Sequence, residues 1–231
     1  MPVMDEFKEE REKIKNAPFE AKWKYFCDYY LKWVIGGGFA LAIVIAVIVT
    51  TLTHKDEMLY VSMPNFTALP AADAQLIEPF VQLNLENPKK QDITVDSNCH
   101  LLADPEGQSA EDPDLSVRYT YEDEQKVAMV LMVGQMDMMI SGEDIIDRFA
   151  SGEYVRPLSD IYSAAEIKEF EDKELVRYNS SGTPVAICMD DAVKLSNYYE
   201  YTGIKVDHVY AVYTYGKHME LAKKYLDYLM N

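Results

Sequence analysis

The sequence predicts an α/β protein: an N-terminal transmembrane helix followed by one largely parallel sheet covered by helices. Three observations lead there. The run from Trp33 to Thr53, WVIGGGFALAIVIAVIVTTLT, carries no charge. At ~1.5 Å per residue it is long enough to cross a hydrocarbon core of about 30 Å as a helix. Beyond it, short continuous apolar runs such as MDMMIS (136–141), TPVAICM (183–189) and DHVYAVYTY (207–215) read as strands buried on both faces. Helical patterns lie between these runs, and strands that alternate with helices argue a parallel sheet with helices on either side.

The chain divides at the apolar run into residues 1–32, the span 33–53, and an α/β domain over 54–231. Residues 4–16 mix charges at helical spacing and read as a solvated helix. Pro18 suits a first helical position and opens a second helix. That helix carries Trp23, Tyr29, Tyr30 and Trp33 beside Lys32. Aromatic bodies with polar tips and lysines suit a membrane–water interface, so the lipid bilayer is the first expected partner. Lys22, Lys24 and Lys32 lie just before the span, whereas only Lys55 follows it before Lys89. The positive-inside rule then puts the N-terminus in the cytoplasm and residues 54–231 outside the cell membrane. The long leader and the lack of a small-residue cleavage site predict an uncleaved anchor. Gly38, Ala42 and Ala46 recur every fourth residue, a small-residue face through which two spans can approach as a homodimer.

Downstream, MLYVSMP (58–64) begins a strand and residues 71–84 form a helix interrupted at Pro79. DITVDSNCHLL (92–102) reads as a strand, and the acidic, Pro- and Gly-containing stretch 103–116 as a loop. Thr120 and Asp123 predict a capped start for a helix burying Val127, Val130 and Leu131. Ser141 and Asp144 predict another, with Ile145, Ile146 and Phe149 on its inner side. Ser163 and Glu166 predict a third. Residues 190–203 read as a helix stopped by Gly203. The closing helix, 217–230, places Leu221, Ala222, Tyr225, Leu226 and Leu229 on one face.

The formal net charge is −17, and residues 1–53 carry equal numbers of acids and bases, so the whole excess lies after Thr53. A body that negative repels nucleic acid and anionic membrane surfaces, and no nucleic-acid partner is expected. Of the three cysteines, Cys27 precedes the span; Cys99 and Cys188 sit in apolar runs and are expected as buried thiols, with a pairing between them left open. The four histidines share no ligand spacing, and no HExxH, GxSxG, Walker or GxGxxG pattern occurs. The reading is therefore non-enzymatic, with no cofactor and no metal.

Open α/β sheets bind ligands at the carboxyl ends of their strands, beside helix N-termini. That rule nominates Asn65 after the first strand, Ser141 and Gly142 after MDMMI, and Asp190 and Asp191 after VAICM. Glu143 and Asp144 follow Ser141–Gly142 and already occupy the positive helix end, which disfavours an anion there. Asp190–Asp191 reads either as a helix-start pair that needs no ligand or as a seat for a cationic or hydroxylated ligand, or for a hard metal together with carbonyls.

Three stretches carry a resemblance. KVAMVLMVGQMDMMI (126–140), FASGEYVRPLSDI (149–161) and VYAVYTYGKHMELAKKYLDYLM (209–230) resemble the helix–strand, corner and late strand–helix segments of type II extracytoplasmic (periplasmic) solute-binding proteins. The leader, the span and the small domain after it also resemble uncharacterised bitopic membrane proteins of Gram-positive bacteria. Solute-binding proteins fold two lobes around a cleft, and residues 54–231 leave room for one. The resemblance therefore implies half of such a fold, without hinge or closing cleft. The expected function is a membrane-anchored extracytoplasmic interaction or accessory protein, a subunit of an envelope or transport complex whose partners are other membrane or envelope proteins. The alternative is a tethered receptor for a small polar solute.

Overall fold

The computed structural model describes residue 15 and residues 17–102, 121–150, 152, 154–203 and 206–231. The charged helix expected over 4–16 (but for Lys15), the acidic loop over 103–116, the helix start at Thr120 and the side chain of Tyr29 lie outside the described residues. The chain divides into two compact units, Met1–His54 and Lys55–Asn231.

In the first unit Pro18 is extended and stands one position before helix α1, Phe19–Tyr29, rather than inside it. Its carbonyl accepts the N–H groups of Ala21 and Lys22. Phe19, Trp23, Phe26 and Tyr30 stack successively along the helix, with ring centroids 6.5, 5.7 and 6.3 Å apart. Helix α2, Leu31–Thr53, starts two residues before the expected span. Its most apolar 18-residue stretch has a mean hydropathy of 2.5, and it is long and apolar enough to cross a membrane, compatible with a single-pass membrane protein. The hydroxyls of Thr51 and Thr53 return to carbonyls four residues back, at 2.8 and 2.7 Å. That satisfies them within the helix, as a lipid environment requires. Trp23, Lys32, Trp33, Gly38, Ala42 and Ala46 are all exposed, and Tyr30 is half-buried.

In the second unit the described residues form eight strands interspersed with helices. A six-stranded sheet contains β1 (Asp56–Ser62), β3 (Gln91–Asp96), β4 (Met138–Gly142), β5 (Val176–Tyr178), β6 (Pro184–Cys188) and β8 (Val209–Tyr213), in the order β3-β1-β4-β8-β6-β5. β1 pairs in parallel with β3 and β4. β8 runs antiparallel to β4 and β6, and β5 antiparallel to β6. Strands β3, β1, β4 and β6 thus share one direction, so the sheet is mostly parallel by direction but mixed in its neighbour pairs. The β5–β6 hairpin is set by local chemistry. Asn179 Oδ1 accepts the N–H groups of Ser181 and Thr183, and Gly182 takes a φ of +76° that a side chain would oppose.

The apolar runs are continuous because both sheet faces are covered. Leu59, Val61, Met138, Ile140, Ala211 and Tyr213 point into one core. It is closed by helix α3 (Glu78–Asn84) with Phe80 and Val81, and by α8 (Met219–Met230) with Ala222, Tyr225, Leu226 and Leu229. Met139, Tyr210 and Val212 point into the other core. It is closed by α4 (Tyr121–Met132) with Val127, and by α5 (Glu143–Ala150) with Ile145 and Ile146. Each fully buried Leu, Ile, Val or Met contributes about 1.5–3 kcal/mol, so this two-sided burial is the main force holding the unit together. The Ser163–Glu166 capping box forms as expected at the head of α6, Ala164–Asp172.

Two expectations are corrected. The helix expected over 190–203 is shorter: α7 covers only Val193–Tyr198, and the chain then extends as β7, Tyr199–Tyr201. Tyr199 is buried there, and β7 pairs antiparallel with β2, Phe66–Ala68. Burial of a Tyr-rich segment against another strand overrides its helical pattern. The strand expected over 92–102 ends at Asp96, and residues 97–102 run without regular structure.

Candidate functional site: the carboxyl edge of the sheet

The strand order β3-β1-β4 places a topological switch between β1 and β4, and the carboxyl ends of both strands meet there. In open α/β sheets this is the ligand crevice. Asn65, Ser141 and Gly142, each nominated by the strand-end rule, gather at this point.

Their polar groups are already engaged. Asn65 is buried in a left-handed turn, φ 64°. Its side chain donates to the Leu101 carbonyl and accepts from the Leu101 N–H, both at 2.9 Å. Its own N–H donates to the Cys99 carbonyl at 2.9 Å, and its carbonyl accepts from the Thr202 N–H at 2.7 Å. One side chain and one peptide unit thus tie together the turn after β1, the 97–102 segment and the chain after β7. An Asn tolerates the left-handed region because its short amide bonds locally, and here it also supplies two hydrogen bonds. Ser141 is fully buried, and its hydroxyl donates to the Pro64 carbonyl at 2.9 Å. It does not cap α5 as expected; Asp144 Oδ1 accepts the Ile145 N–H instead.

Gly142 lies under a tyrosine. A Cβ on Gly142 would stand 2.4 Å from the Tyr201 hydroxyl, and one on Gly203 would stand 2.6 Å from it. Tyr201 also packs edge-on against Phe66, with centroids 5.1 Å apart. The small β2–β7 sheet therefore lays its own aromatic pair over the strand ends. Helix α5 begins just beyond, where the Glu143 N–H donates to the His208 carbonyl at 3.0 Å.

Asp190 and Asp191 occupy the same sheet edge, one strand pair away. Asp190 is not a helix-start residue: α7 begins at Val193, with Ala192 at the N-cap. Instead Asp190 Oδ1 accepts the Val209 N–H at 2.9 Å, and Oδ2 lies 2.6 Å from His208 Nδ1. Val209 is in turn the partner of Gly142 across β4–β8. Burial favours the protonated form of Asp190, but hydrogen bonds from His208, Val209 and Cys188 outweigh it and hold the carboxyl below its ordinary value. The same bond to Asp190 holds His208 above the ordinary imidazole value. Asp191 is exposed.

Two groups were not legible as site residues. His208 is eighteen positions from Asp190, and only the pairing of β6 with β8 brings them together. Cys188, at the end of β6, stands beside both, with donor atoms of all three residues within 4.8 Å of one another. No protein-family model, curated protein or solved structure matches this chain.

Proposed function

We propose that the chain is a single-pass protein of the cell membrane, N-terminus cytoplasmic, whose extracytoplasmic α/β unit works by contact with other membrane or envelope proteins as an accessory subunit of their complex. The unit is one lobe of a solute-binding-like fold used as a contact module. The observation that carries this reading is the filled switch point. Asn65, Leu101, Tyr201 and Gly142 occupy the place where a solute would sit: Asn65 and Leu101 exchange two hydrogen bonds, and the Tyr201 hydroxyl end lies over Gly142. The exposed apolar side chains of Tyr121, Met129, Met132 and Val133 on and just after α4 add support. Met129, Met132 and Val133, three and four positions apart on one helix side, suit a contact surface. The acidic surface supports a protein partner over nucleic acid or anionic lipid.

Thermal unfolding of the full chain in mild detergent, with and without sugars, amino acids and short peptides, tests the reading. The accessory role predicts no saturable stabilisation. A tethered solute receptor predicts a Tm that rises with solute concentration, and that result overturns the proposal.

A further inference from the structure

We propose that Cys188, Asp190 and His208 form a binding site for one divalent transition-metal ion of the Zn²⁺ type. The Cys188 thiol, an Asp190 carboxylate oxygen and a His208 ring nitrogen all lie within 4.8 Å of one another. Cys188 ends β6 and is registered with Tyr210 of β8, and His208 directly precedes β8, its carbonyl accepting the Glu143 N–H. The strand ends are fixed by sheet pairing, while the Asp190 and His208 side chains are exposed. A tetrahedral Zn²⁺ with bond lengths of 2.0–2.3 Å needs its donors about 3.4–3.6 Å apart. The Asp190–His208 pair, now at 2.6 Å, has to open by about 1 Å, and the most distant donors have to close by at most about 1.4 Å.

The surroundings fit a cation. Asp190 Oδ1 is held by the Val209 N–H, which leaves Oδ2 aimed at the shared point. A ligating carboxylate is commonly oriented this way by a hydrogen bond to its second oxygen. Glu143, Asp191 and Asp207 add negative potential around Cys188 and His208. The Arg177 guanidinium is turned to Asp147 and Glu143 and lies over the Tyr210 ring. A thiolate, an imidazole and a carboxylate together select Zn²⁺ or Co²⁺ over Mg²⁺ or Ca²⁺, which prefer all-oxygen sets. Three protein donors leave the fourth position for water or for a donor from a partner. On binding, the Cys188 S–H bond breaks, the thiolate sulfur ligates the metal, and the proton goes to solvent. Without a metal the three groups are linked only by hydrogen bonds from His208 and Cys188 to Asp190.

The test is a Co²⁺ titration of the full chain in mild detergent, followed by optical absorption. The expected result is one Co²⁺ bound per chain with a thiolate-to-cobalt charge-transfer band in the near ultraviolet, displaced by Zn²⁺ and accompanied by proton release. Cys188→Ser abolishes the band, while Cys99→Ser leaves it unchanged. Asp190→Asn and His208→Gln, at exposed positions that the fold tolerates, each weaken Co²⁺ binding at least about 10-fold. The proposal is overturned if the folded wild type shows no such band. It is equally overturned if His208→Gln keeps the band at full affinity, because the thiolate then holds Co²⁺ without the histidine.

Discussion

Asp137 holds the start of the last helix: its Oδ1 accepts the His218 backbone N–H at 2.7 Å, and His218 is the N-cap of α8. The other oxygen accepts the Tyr60 N–H at 2.9 Å. Asp137 is fully buried, just before β4, so this one carboxylate joins β1, β4 and α8 at the amino edge of the sheet. Removing it leaves two half-buried donors without that acceptor, each costing up to about 1–3 kcal/mol. Asp137→Ala is expected to lower the unfolding free energy by about 2–5 kcal/mol in urea titrations. A change under about 0.5 kcal/mol, the size of an ordinary surface substitution, would contradict this role.

The same corner explains Gly216. A Cβ there would stand 2.3 Å from Asp137 Oδ1 and 2.4 Å from the Met136 carbonyl oxygen, a backbone atom that cannot swing away. Gly216→Ala is expected to destabilise by at least about 1–3 kcal/mol, the usual range for overpacking. Chemical denaturation is the readout, and a neutral result would mean that the corner is looser than described.

Gly142 and Tyr201 test the filled crevice directly. Gly142→Ala drives a methyl to 2.4 Å from the Tyr201 hydroxyl and should destabilise by about 1–3 kcal/mol. Shortening the ring removes the clash. In a double-mutant cycle Gly142→Ala should therefore cost markedly less in a Tyr201→Ala background, by about 1 kcal/mol or more. Strict additivity would show that the ring does not cover the glycine.

The acid limb of stability follows from Glu166. Hydrogen bonds from Lys223 and Ser163 hold its carboxyl down at about 2 against an ordinary value of 4.5. A depressed acid stabilises the fold fully above its unfolded value and loses that contribution as pH falls toward the folded one. The expected loss runs from about pH 4.5 down to about 2. Asp227, raised by burial, works in the opposite sense and blunts the slope. Thermal unfolding of Glu166→Gln between pH 5 and 2 should show a flatter profile than wild type. Ser163→Ala, which breaks the capping box, should cost about 1 kcal/mol at neutral pH.

Thiol chemistry gives a further check. Cys99 and Cys188 are buried and free, and burial pushes the Cys99 thiol up to about 12. Cys99 should resist alkylation in the native protein and react in denaturant without added reductant. Protection that persists in denaturant until reductant is added would instead reveal a disulfide.

The apolar runs and capping pairs make most of the fold legible, because burial on both faces imposes a local pattern. Strands β1, β4, β6 and β8 and helix α8 each carry that pattern within their own residues. Short edge pieces carry none: β5 is Val176–Tyr178 and β7 is Tyr199–Tyr201, and both are strands only because a partner lies beside them. Among site residues, Asn65, Ser141, Gly142 and Asp190 follow from the rule that strand ends face ligands. Their actual partners do not. Asn65 meets Thr202, and Asp190 meets His208, through pairings between segments distant in the chain. Tyr201 over Gly142 is legible only once β2 and β7 have been brought together.

If the α/β unit acts by protein contact, the chain leaves its membrane with a partner. Native mass spectrometry of the full chain, extracted from its own membranes in mild detergent, tests it most directly. The prediction is a stoichiometric heteromeric assembly, heavier than this chain and not a whole multiple of it, with a membrane or envelope protein as the second component. A lone chain or homodimer carrying a bound small solute would contradict the claim and assign the strand ends to a receptor.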